Sequence, residues 1–269
     1  MFRRLLLTFV CIGAARATAH DTWVETSTNM LRPGDAVYVD LMLGNHGNGH
    51  RDFKLAGKID LASCHLEVLD PAGKRFDMID RLVDTGYAPR EGYWTGKYVP
   101  NSPGMYMVAH TLDKLHRTKR AIKSSKTFFV VTENLDAVGK LNLKADTSFS
   151  KPLGHALELV PDKNPVLPMG PGRPIAVRLL FRGEPLEGER VSFIPRGAVL
   201  SEQFDDRFER KTDKEGSASY TPTEGNYVLV VAHHARPDEK GAGYDATNYS
   251  ATMTVLVPEA CPCCEGEDP

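Results

Sequence analysis

The chain has 269 residues, with 33 Lys and Arg against 35 Asp and Glu, for a formal net charge of −2. That balance offers no electrostatic basis for binding nucleic acid, and no stretch approaches the roughly 18 apolar residues a membrane helix requires. About 250 residues beyond the leader exceed one ordinary domain, so two are expected.

Residues 1–19 read as an export signal: Arg3 and Arg4 open it, an apolar run follows, and small residues close it. A periplasmic or secreted protein is therefore expected, and losing Arg3, Arg4 and Arg16 moves its formal charge from −2 to −5. Two cuts fit "ARATAHDTW". A cut after Ala19 makes His20 the first residue, whose amine and ring chelate one ion; a cut after Ala17 leaves Thr18-Ala19-His20, a square-planar Cu(II) or Ni(II) site.

Short runs rich in Val, Tyr, Thr and Phe then alternate with Gly and Pro turns, which predicts an all-β chain. Residues 20–133 hold "DAVYVDLML", "CHLEVLD", "EGYWTGKYVP", "GMYMVAHTL" and "KTFFVVTE", a first antiparallel, Ig-like sandwich. In "CHLEVLD" the alternation puts Cys64 with Leu66 and Val68, as a small core residue. Residues 134–172 form a Pro-rich connection with one short strand, "HALELVP". Residues 173–258 supply a second, transthyretin-like sandwich through "PIAVRLLF", "ERVSFIP", "NYVLVVAHH" and "NYSATMTVLVP". Residues 259–269 lack apolar periodicity and read as a mobile Cys-rich tail.

Metal-ligating residue types recur along this frame. His46 and His50 stand four apart in the Gly and Asn loop "GNHGNGH", which lets both rings face one ion. His110 ends "MYMVAH" on the face of Tyr106 and Val108, where a ligand and a satisfied core histidine are both compatible. His233 and His234 point to opposite faces of one strand, so at most one lines a site. Cys261, Cys263 and Cys264 form a soft thiolate set or a disulfide-bearing appendage. Lys114, Arg117, Lys119, Arg120, Lys123 and Lys126 crowd "KLHRTKRAIKSSK", read as a solvated hairpin or an anion-binding patch. No Gly-x-Ser-x-Gly elbow, His-Glu-x-x-His helix or phosphate-cradling glycine loop supports hydrolase chemistry.

Several stretches together resemble the exported NikM-like proteins, a domain of unknown function associated by name with nickel uptake. They are "AHDTWVE", "RPGDAVYVDL", "PGMYMVAH", "FSKPLGHALELVPDKNP", "RPIAVRLLFRGEPLEGERV" and "TDKEGSASYTPTEGNYVLVVAHH", the last two also similar to transthyretin-like or Cna-B-like modules. The resemblance implies a periplasmic pair of β-sandwiches beginning at His20 and Trp23, and a transporter component in the inner membrane as partner. It also marks His155, beside Gly154 in the most specific stretch, as a ligand or a structural hydrogen-bonding residue.

The reading that follows is an exported protein, not an enzyme, binding a divalent transition metal (nickel, cobalt or copper) through His20 with His46, His50 and His110. His155, His233, Cys261, Cys263 and Cys264 are secondary candidates. Two rivals stand beside it: a binding module for a surface polymer or a protein partner, and a copper monooxygenase built on an amino-terminal histidine brace.

Overall fold

A computed structural model describes residues 20–45, 50–53, 60–86, 92–134 and 147–260. The expected leader, His46 and the tail cysteines Cys261, Cys263 and Cys264 lie outside the described residues, and of His50 only the backbone is described.

Among the described residues the regular structure is almost entirely β, with three single-turn 3-10 helices at Leu61–Ser63, Ile79–Arg81 and Ser148–Ser150. In chain order its strands are β1 (Asp21–Thr26), β2 (Met30–Leu31), β3 (Val37–Asn45), β4 (His50–Phe53), β5 (Cys64–Leu69), β6 (Arg75–Asp77), β7 (Val83–Asp84), β8 (Trp94–Tyr98) and β9 (Gly104–His116). There follow β10 (Lys119–Val131), β11 (Leu157–Pro161), β12 (Ile175–Phe181), β13 (Glu184–Pro185), β14 (Arg190–Pro195), β15 (Glu209–Lys211), β16 (Ser217–Tyr220), β17 (Asn226–Arg236) and β18 (Ala246–Val257). They build a five-stranded sheet (β1-β3-β8-β7, with β4 on β3) and a four-stranded one (β11-β12-β13, with β16 on β12). Between them runs a nine-stranded sheet, β15-β14-β17-β18-β10-β9-β5-β6 with β2 on β10.

That large sheet crosses the expected boundary at 134–172. Strand β10 pairs with β18 in parallel, from Lys119↔Ala246 to Thr127↔Thr254, so strands from both halves share one ladder. The strand anticipated inside the connection is β11, which lies antiparallel to β12.

Alternation along β9 and β10 sorts the cores. Met105, Met107, Phe128 and Val130 enter one core with Leu159, Val177 and Leu179 of the four-stranded sheet. Tyr106, Val108, Phe129 and Val131 enter a second with Val24, Val39 and Leu41 of the five-stranded sheet. On the other side of the β1-β3 ladder, Trp23 and Met42 pack on Ile194, Leu229 and Val231. Both faces of that ladder are thus covered by the same large sheet, at its two ends. Cys64 is buried and unpaired, and burial pushes its thiol up to about 12, so it is a packing residue and not a reactive one.

Strand β1 ends its own sheet, and its outer edge is met by side chains. Ser125 Oγ accepts the Val24 N–H at 3.0 Å, and Thr252 Oγ1 donates to the Thr22 carbonyl at 2.9 Å. Ser125→Ala leaves a buried amide without an acceptor, and an expected loss of about 1–3 kcal/mol is read from urea unfolding.

Candidate functional site

The registers assemble a polar floor on the face of the large sheet that β1 covers. One row across β9, β10, β18 and β17 reads Leu112, Lys123, Ser250, His233. The next reads His110, Ser125, Thr252, Val231. Six of these eight positions are polar, on a face that elsewhere carries Tyr106, Val108, Phe129 and Val131.

The start of β1 is tied to this floor. Lys123 Nζ donates to the His20 carbonyl. Asp21 faces His233, with Nε2 at 2.9 and 3.1 Å from the two carboxylate oxygens. Burial works to raise the Asp21 carboxyl, but the charge and hydrogen bond of His233, with Lys123 and Ser250 behind, hold it below its ordinary value. The Asp21 charge in turn raises the His233 imidazole against the opposing effect of burial, while burial lowers the Lys123 ammonium.

His110 lies deepest, 1% exposed. Its Nδ1 is 2.9 Å from the His65 carbonyl. A carbonyl only accepts, so Nδ1 carries the proton and Nε2 keeps its lone pair. Nε2 is buried with no hydrogen-bond partner, and burial pushes the ring down to about 3, which makes it a neutral imidazole at physiological pH. Thr22 Oγ1 is likewise buried and unpartnered. Such atoms cost free energy until something meets them.

Of the histidines singled out in the sequence, His110 and His233 lie in adjacent rows on one face of the large sheet, His110 buried and His233 half-exposed, and the main chain of His20 is tied to the same face through Lys123. His50 starts β4 opposite Asn45, one step beyond the Asp21↔Gly44 pair, and so lies two strands from His20, roughly 10 Å in backbone spacing. His155 is placed elsewhere. It precedes β11, which packs on the opposite face of the large sheet, where Ser124 Oγ donates to the Leu157 carbonyl at 2.6 Å. His234 also points to that opposite face, with Nδ1 2.8 Å from Glu189.

The sequence reading missed Lys123 and Asp21. Lys123 was expected in a solvated hairpin, and this is corrected: Lys123 is 8% and Lys126 2% exposed, because β10 begins at Lys119 and carries both into the interior. The surface part of the hairpin holds Arg120, paired with Asp113 at 2.5 Å. The Asp21–His233 pair sets a pH window. Asp21 contributes above its ordinary 3.8 and its contribution is lost as pH falls through its lowered value; His233 contributes below 6.5 and loses it as pH rises through its raised value. Amide exchange across Asp21–Val24 is expected to be slowest between these limits and to lose that dependence in Asp21→Asn.

Among the described residues, no three or more His, Cys, Asp and Glu side chains are grouped to hold a metal ion. Among these residues, His110 Nε2 is the unpartnered buried imidazole nitrogen on the face that β1 covers, with His20 immediately before that strand, while His155 Nδ1 is likewise unpartnered on the opposite face. None of the described helices is long and apolar enough to cross a membrane.

The architecture defines a β-sandwich protein with its amino-terminal strand laid over a buried polar floor. The chain belongs to the family described as a domain of unknown function, DUF4198, whose model matches residues 17–236. No curated protein matches it. Among solved structures it is similar to a DUF4785 family protein from Legionella pneumophila, with 11% identity, a TM-score of 0.29, and coverage of 78% of this chain and 50% of that one. It is similar to trypsin-activated alpha-2-macroglobulin from Escherichia coli, with 13% identity, a TM-score of 0.27, and coverage of 88% and 16%. The fibronectin(III)-like modules of CbhA from Clostridium thermocellum give 12% identity, a TM-score of 0.22, and coverage of 91% and 98%. The chain spans half of the first of these proteins and a small part of the second, and the similarities concern β architecture alone.

Proposed function

We propose that the processed protein binds a transition metal ion at its amino terminus, as an exported carrier that holds the ion or hands it to a transporter component of the inner membrane. The observation that carries the reading is the His110 Nε2 lone pair, buried, unprotonated and unpartnered on the floor that β1 covers. Cleavage after Ala19 adds what the side chains lack, because the His20 amine and ring join His110 as nitrogen donors. Three nitrogens favour Cu(II) and Ni(II) over harder ions, which agrees with the nickel association of the NikM-like resemblance. Lys123 and the Asp21–His233 pair hold the main chain at His20 and Asp21, and the Asp21 carboxylate offsets the Lys123 charge beside the ion.

Calorimetric titration with CuSO4 and NiSO4 tests the role of His110. His110→Leu is expected to weaken binding by at least about tenfold while the melting temperature changes little, since removal of an unpaired buried nitrogen offsets loss of the Nδ1 hydrogen bond to the His65 carbonyl. A variant that binds both ions as the wild type does removes His110 from the site.

A further inference from the structure

The stretch Lys151–Glu158 has no part in the site above, yet it is organised around a buried carboxylate with four hydrogen bonds. Glu158 Oε1 accepts from Lys126 Nζ at 2.5 Å and from the Leu153 N–H at 2.6 Å; Oε2 accepts from the Gly154 and His155 N–H groups, each at 3.0 Å. The Lys126 and Glu158 side chains are each 2% exposed. Gly154, at φ +83°, makes the turn that brings three amides onto one carboxylate. A buried ion pair is a poor source of net stability. What this one accomplishes is to fix His155 in place.

His155 lines an open cavity of about 250 Å3 between this loop and the large sheet, together with Ser63, His65, Thr111, Ile122 and Leu157. The volume falls below the roughly 300–1,000 Å3 of drug-sized sites. Its wall carries no uncommitted charge. Asp113 is held by Arg120 through two hydrogen bonds at 2.8 and 2.5 Å. Lys123 also lines the cavity, but its ammonium donates to the His20 carbonyl on the other face of the sheet. Lys126, next to the wall, is matched by Glu158, and burial pushes the His155 imidazole down to about 4, leaving it neutral. An anion finds no free cation there, and a metal ion finds no grouped ligand set among the described residues. Hydroxyls and imidazoles on an aliphatic backing remain. We propose that this cavity is a second binding site, on the opposite face of the sheet from His110, for a small neutral hydroxylated ligand on the scale of one sugar ring.

Saturation-transfer NMR tests this with glucose, galactose and N-acetylglucosamine against the charged glucuronate and glucosamine, all with a chelator present so that the result is independent of metal binding. At least one neutral member is expected to bind saturably, with affinity reduced at least tenfold in Thr111→Val at an unchanged melting temperature, and again in His155→Phe. No saturation up to about 50 mM, binding of the charged members only, or binding that neither variant weakens overturns the proposal.

Discussion

Glu158→Gln is expected to destabilise the protein by about 3–5 kcal/mol, because it strands the Lys126 ammonium in the interior and weakens an acceptor for three main-chain amides. For a chain of this size that corresponds to a fall in melting temperature on the order of 10 °C, read by calorimetry. The double variant Lys126→Met with Glu158→Gln removes the stranded charge and leaves the Gln oxygen for the amides, so it is expected to be more stable than Glu158→Gln alone. Additive losses in the two single variants would show that the pair is not coupled. The pH dependence follows from the same contacts. Burial raises the Glu158 carboxyl, but Lys126 and the Leu153 amide outweigh it and hold it below its ordinary 4.5. Its contribution is therefore complete above that value and is lost as pH falls through the lowered one.

Trp23→Ala is the second large effect. Trp23 is 1% exposed and packs with Met42 against Ile194, Leu229 and Val231, joining the amino-terminal sheet to the far end of the large one. Its Nε1 donates to Glu25 Oε1 at 3.0 Å; Glu25 is also bound by Arg196, which stacks 4.3 Å from the Tyr227 ring centre. Truncation is expected to cost about 3–5 kcal/mol by urea unfolding, and to speed amide exchange across β1, since the face of the strand next to the site loses its anchor. A loss confined to below about 1 kcal/mol would mean that the β3 ladder, the Val24 packing and the side-chain contacts of β1 hold the strand without the Trp23 anchor.

The β character and most strands were legible from period-two alternation: Val37, Val39, Leu41 and Leu43 face one core, as do Leu66 and Val68. Cys64 as a buried, unpaired residue was legible on the same grounds. The amino-terminal half of β10 was not. Lys123 and Lys126 read as solvated because a lysine enters an interior only with a partner, and those partners are 103 residues away at His20 and 32 away at Glu158. The parallel β10-β18 pairing was equally invisible, since local turn chemistry signals hairpins and not ladders between distant segments. His20, His110 and His233 could each be named from leader position or strand parity. That His110 and His233 share one face follows only from the strand order β9-β10-β18-β17, and the same order sends His155 to the opposite face, into the cavity lined by Thr111 and Ile122.

The most direct test of the central claim is a Cu(II) and Ni(II) titration of the protein exported and cleaved by its own leader, with its start read by intact mass, beside a form carrying one extra residue before His20. The account predicts that the mass places His20 first and that the extra residue weakens binding by about a hundredfold while amide exchange in β1 is unchanged. Equal affinity in the two forms would contradict it.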